Sequence, residues 1–171
     1  MAVGAHYDKA GERSEGILDN MLGCILVSKV AKILVRADTE FTYLFCCYGR
    51  EEAGRRISAP ISFYRAEHGR PTFIIKVDYV GDKRAPGLVG AYLSPVDGYL
   101  QTGIKISTYP WPDPPTMHTE RDNIKNVDFD IAYLAYETLI HMVEQVEDGK
   151  GLTPPPTVSF WRKDKPLQPL D

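Results

Sequence analysis

Three short apolar runs in this chain each deliver an imidazole or a carboxylate at their C-terminal end. Residues 1–7 carry His6, residues 41–48 are followed at once by Glu51-Glu52, and residues 72–80 carry Asp78. Short runs rich in apolar, β-branched and aromatic residues, bounded by turn formers, read as strands. The run at 41–48 is apolar without alternation, which predicts a central strand covered on both faces. Between these runs the period changes. From 21 to 36, Leu22, Ile25, Leu26, Val30, Ile33 and Leu34 recur at helical spacing, interrupted by Lys29, and Asp19 or Asn20 stands where a helix cap belongs. A second helix is predicted between Ala53 and Glu67, its start limited by Pro60. Residues 81–117, rich in Gly, Pro and Tyr, read as loops with at least one further strand, best placed at 103–108. Residues 128–147 form the clearest helix, with Phe129, Ala132, Tyr133, Ala135, Tyr136, Leu139, Ile140 and Val143 as its apolar face.

Strands alternating with helices predict an α/β fold, a three-layer αβα arrangement around a mainly parallel mixed sheet. In such sheets ligands bind just beyond the carboxyl ends of the strands. His6, Glu51-Glu52 and Asp78 would therefore converge on one edge although they are far apart in sequence.

The 171 residues suit one domain, here expected at 1–150. Residues 151–171 hold Pro154-Pro155-Pro156, Pro166 and Pro169 and read as an extended tail. The net charge of −3, with Lys and Arg spread along the chain, argues against a nucleic-acid or polybasic membrane surface. The apolar runs are too short to span a bilayer, and the N-terminus lacks the pattern of a secretory leader. Cys24, Cys46 and Cys47 do not make a disulfide framework; small, reduced, buried thiols and a cytoplasmic location are the expectation.

Imidazole with carboxylate is a ligand mixture that zinc accepts. His6, Asp19, Glu51-Glu52, Asp78 and His118 supply that mixture in separated clusters, and an adjacent Glu pair offers one ligand and one free base. Singly, each has a plain structural reading: a strand-end histidine, a helix cap, a solvated turn. His68 and His141 fall outside the pattern and receive no role.

Five motifs in order carry a resemblance. They are Gly4-Ala5-His6-Tyr7-Asp8, Asp19-Asn20-Met21-Leu22-Gly23, Gly49-Arg50-Glu51-Glu52-Ala53-Gly54, Asp78-Tyr79-Val80-Gly81 and His118-Thr119-Glu120-Arg121-Asp122. Together they make the chain similar to the zinc-dependent aminopeptidases, whose clan includes glutamate carboxypeptidase II, the transferrin receptor ectodomain and glutaminyl cyclase. The resemblance implies two zinc ions bridged by Asp19, one also held by His6 and Asp78, the other by Glu52 and His118. Asp8 would orient His6, and Glu51 would be the general base on a metal-bridging water. It implies a cis Asp19–Asn20 peptide, a peptide substrate, and cobalt or manganese as substitutes for zinc.

The chain departs from the family pattern in two places. The family's N-terminal helix and antiparallel strands have no counterpart in these residues, and the stretch from Asp78 to His118 is short. A pared-down member or a domain of something longer is expected, with self-association or the tail covering an open sheet edge. Tyr92, Tyr99 and Tyr109 are the candidates for stabilising an oxyanion. Trp111 reads either as a pocket wall or as part of a rigid, proline-ordered loop, and Arg55-Arg56 either as a carboxylate binder or as a solvated helix start. The alternatives to peptide hydrolysis are carboxypeptidase-like or glutaminyl-cyclase-like chemistry on the same site, or a non-catalytic interaction module of the same fold.

Overall fold

The computed structural model describes residues 1–54, 69, 73–84, 88–95, 102–108, 116–150, 159–162 and 165–169. Seven strands form one sheet: β1 (Ala2–His6), β2 (Leu44–Tyr48), β3 (Ile74–Val77), β4 (Leu88–Pro95), β5 (Thr102–Ser107), β6 (Ser159–Arg162) and β7 (Lys165–Pro169). Their order is β2-β1-β3-β5-β4-β6-β7. β1 pairs in parallel with β2 and β3, and β3 with β5; β4, β6 and β7 add antiparallel pairs. The sheet is mixed, and its parallel half carries the predicted strand ends. β1 has β2 on one side and β3 on the other, so the chain's winding reverses there, the place where open α/β sheets bind ligands.

Two helices are described: α1 (Leu22–Leu34) and α2 (Phe129–Glu147). Both pack on one sheet face. Val3, Ala5, Ile75, Val77, Ile104 and Ile106 meet Leu26, Val27 and Val30 of α1 and Ala135, Leu139 and Val143 of α2 in the main core. Ala2, Ile74 and Tyr48 form a smaller cluster on the opposite face, as the two-residue period of strands requires. α2 is capped as its sequence suggests: the Asp128 carboxylate accepts from the amides of Asp130 and Ile131. No described helix is long and apolar enough to cross a membrane.

Four expectations are corrected. β2 is the outermost strand on its side of the described sheet, not a central one, and Leu44–Tyr48 is only partly covered. An uninterrupted apolar run does not reveal how many neighbours a strand has. α1 is rotated from its predicted face, so Ile25 (45%) and Ile33 (48%) are exposed while Gly23, Cys24 and Val27 are buried. α2 likewise exposes Phe129 and Tyr133 and buries Ile131, Thr138 and Met142. Finally, residues 159–162 and 165–169 are strands of the sheet, so part of the Pro-rich segment expected as a tail extends it. β4 lies in a stretch read mainly as loop. The helix expected at 53–67, together with Arg55, Arg56, His68, Tyr99, Tyr109 and Trp111, falls outside the described residues, as does the side chain of Tyr92.

The rotation of α1 has a local cause. Asp19 and Asn20 do not cap the helix; they sit in a wide turn, Ile17–Met21, with the Asp19–Asn20 peptide cis. The fully buried Asn20 side chain donates from Nδ2 to the Val77 carbonyl at 2.7 Å and lies over Gly23. A Cβ added at Gly23 would stand 2.3 Å from Asn20 Oδ1. Cys24 then donates to the carbonyl of His6 at 3.2 Å, fixing the helix against β1. Alanine ordinarily favours a helix over glycine by about 1 kcal/mol. Gly23→Ala is expected to reverse that sign, destabilising by roughly 1–3 kcal/mol because the anchored Asn20 cannot give way. Urea unfolding of the variant checks it; a gain in stability would contradict this packing.

Candidate metal centre

Each strand end contributes as the topology dictates. His6 closes β1, is 1% exposed, and points Nε2 at Asp78 Oδ1 (3.1 Å), just past β3, and at Asp19 Oδ1 (3.2 Å). The other Asp19 oxygen, Oδ2, lies 3.1 Å from His118 Nε2, which is also 3.1 Å from Glu52 Oε1. Asp19 thus stands between two imidazoles and shows one oxygen to each. His6, Asp19 and Asp78 form one group whose ligand atoms lie within 4.8 Å of one another, Asp19, Glu52 and His118 a second, and His6, Glu51 and Glu52 a third. All five predicted ligand positions come together.

Asp8 touches more than the imidazole it is expected to orient. His6 Nδ1 lies 3.1 Å from the backbone carbonyl of Asp8 and 3.4 Å from its carboxylate. The carboxylate itself accepts from the amides of Glu51 and Glu52, each at 3.1 Å. Asp8 therefore faces the imidazole with both its carbonyl and its carboxylate, and the carboxylate also clamps the Glu pair. Glu51 Oε1 is 2.5 Å from Lys76 Nζ. Lys76 and Lys105 both reach Asp78 Oδ2 at 2.8 Å.

The loops around the site are tied to one another. The fully buried Asp122 accepts from the Leu18 amide at 2.6 Å and from the Ser14 hydroxyl at 2.9 Å, joining the segment that bears His118 to the turn that bears Asp19. Tyr79, next to Asp78, bonds Asp82 and Thr116, and Thr116 also donates to Asp82 at 2.8 Å. Among the described residues, the non-glycine positions with positive φ are Arg50, Tyr79 and His118. Each is a candidate ligand or adjoins one of the candidate site residues. A left-handed backbone there costs of order 1–3 kcal/mol and is held in place by such surrounding bonds. Gly81 of the Asp-x-x-Gly motif also has positive φ (84°), and a Cβ there would press on Leu22 at 2.7 Å.

The charges are strongly coupled. Burial disfavours the imidazolium of His6, but bonds to Asp19 and Asp78 outweigh it and push the pKa up to about 10. Burial would raise Asp78; the ammoniums of Lys105 and Lys76 and the His6 ring hold it well below the usual carboxylate range. Glu52 is pushed up to about 7, first by burial and then by the charge of Asp19. Glu52 Oε1 is buried and makes no hydrogen bond, although His118 Nε2 lies 3.1 Å away. A buried carboxylate oxygen facing an imidazole nitrogen without a hydrogen bond between them suits two donors aimed at a common cation.

Lys76 and Lys105 were not singled out from the sequence. The available signal is a lysine interrupting each of two apolar strands, Ile74-Ile75-Lys76-Val77 and Gly103-Ile104-Lys105-Ile106, with Lys76 two residues before Asp78 and so on its face.

A sheet wound in opposite directions from β1, with His–carboxylate groups at its carboxyl edge, defines an α/β protein with a candidate metal site there. The profile of Peptidase family M28 matches residues 1–96, more than half of the chain, and the chain belongs to that family. No curated protein matches it. Solved structures with the same fold include an aminopeptidase from Aneurinibacillus sp. strain AM-1 (TM-score 0.66, 17% identity), covering 85% of this chain and 43% of its own. The zinc aminopeptidase BSAP from Bacillus subtilis (TM-score 0.65, 18% identity) matches over 86% of this chain and 45% of its own. The LapA aminopeptidase of Legionella pneumophila (TM-score 0.66, 14% identity) matches over 85% and 50%. The chain thus spans half or less of the length of these structures.

Proposed function

We propose that this chain is a metal-dependent amide-bond hydrolase, an aminopeptidase acting on short peptides through two zinc ions. The observation that carries this reading is Asp19, whose two oxygens face His6 and His118 separately, each imidazole having a further carboxylate, Asp78 or Glu52, at 3.1 Å. The donor set is nitrogen and carboxylate oxygen, which suits zinc and also admits cobalt or manganese. His6, Asp19 and Asp78 would hold one ion; Asp19, Glu52 and His118 the other. When bound, the pair would polarise the scissile carbonyl and acidify water.

The remaining steps belong to the protein. Glu51 takes the proton of the attacking water and passes it to the departing amine. Asp8 keeps Glu51 and Glu52 in register by accepting both of their amides. An open cleft of about 530 Å³ beside His118, lined also by Gly11, Glu12 and Arg13, leaves room for the end of a peptide. Family membership and the aminopeptidases among the structural neighbours support the reading. So does the completeness of both ligand groups, since single-zinc cyclisation would need only one.

The test is hydrolysis of aminoacyl-p-nitroanilides. Activity is expected to vanish with a chelator, return with zinc, and be absent on N-acetylated analogues. Activity unchanged after complete metal removal contradicts the proposal.

A further inference from the structure

We propose that Lys76 and Lys105 make the two metal positions unequal: the position of Asp19, Glu52 and His118 binds the first ion tightly, and that of His6, Asp19 and Asp78 binds a second, more weakly. The inference rests on the metal-site reading above. Lys76 and Lys105 are register partners on neighbouring strands, β3 and β5. Like charges placed side by side across strands repel, and here Asp78 Oδ2 lies between them, 2.8 Å from each ammonium. Lys76 also takes Glu51 Oε1 at 2.5 Å.

An ion held by His6, Asp19 and Asp78 would take Asp78 Oδ1, the oxygen facing His6, as one of its two carboxylate donors. The electron density of that carboxylate is already shared with two ammoniums. Both cations also repel a dication entering beside Asp78, in surroundings where charges are poorly screened. Neither lysine swings freely into water, because the side chain of Lys76 is 10% exposed and that of Lys105 is 22% exposed. At the position of Asp19, Glu52 and His118 the picture differs. Among the described residues, Glu52 has only the His118 imidazole as an ion-pair partner, and Asp19 has only the imidazoles of His6 and His118. Among the described residues, neither of these carboxylates has an ammonium as an ion-pair partner.

Calorimetric titration of zinc into the metal-freed full chain, with a competing chelator, reads the two steps. The expected result is two steps separated by at least about tenfold in affinity, a typical size for effects from groups behind metal ligands. Asp78→Asn should remove the weak step alone and His118→Ala the tight one. Lys76→Met should strengthen the weak step by about 10–100-fold and leave the tight step in place. Lys105→Met, at the less buried lysine, should act in the same direction and serves if Lys76→Met fails to fold by circular dichroism. Two equal steps in the native chain, or lysine variants that leave the weak step unmoved, overturn the inference while the metal-site reading stands. A native chain that takes up no zinc overturns both.

Discussion

Glu51→Gln is expected to bind metal as the native chain does and to lose turnover by about 10²–10⁴-fold, the usual contribution of a positioned acid–base group. The substitution keeps the shape of the side chain and the backbone amide that donates to Asp8. Glu51 is not needed in either ligand triad that shares Asp19, so the ions should remain. What disappears is an oxygen able to accept a proton from water and return it to the amine. Metal content and kcat/KM measured on the same preparation separate the effects. Near-native turnover would remove Glu51 from the role of base; loss of metal together with turnover would make it a ligand.

Asp19→Ala is expected to abolish both metal positions at once, because each oxygen of this one side chain serves a different imidazole. The stability consequence is also large. A ligand that binds only the folded state stabilises it by about 4 kcal/mol at a thousandfold excess over its Kd. The native chain should therefore melt at a higher temperature with zinc, and the variant should show no such shift. In the metal-free form the variant loses a buried charge that disfavours ionised Glu52, so it should still fold. Retention of one ion by Asp19→Ala would show that Asp19 belongs to a single position.

The positions of the candidate ligands were legible in the sequence because the signal is topological. An apolar run with a His or a carboxylate at its end needs only to become a parallel strand for that residue to reach the sheet edge, as His6, Glu51-Glu52 and Asp78 do. Faces and neighbours were less legible. Helical spacing marks Ile25, Ile33, Phe129 and Tyr133 as apolar, but which side of a helix meets the sheet is decided by contacts such as Asn20 on Gly23 and Cys24 on the His6 carbonyl. The place of β2 at the outer edge depends on pairing between distant segments, which an apolar run does not encode. The grip of Asp8 on the Glu pair and the placement of the two lysines are hidden for a related reason. A carboxylate that grips backbone amides looks in sequence like one that faces an imidazole. Lys76 and Lys105 meet only because β3 and β5, far apart in the chain, are parallel neighbours in register.

The most direct test of a shared-aspartate dinuclear centre is the zinc content of the folded chain, measured by elemental mass spectrometry after saturation and removal of free metal. Two ions per chain are expected, both released by a chelator. A folded chain that holds none contradicts the shared-aspartate centre.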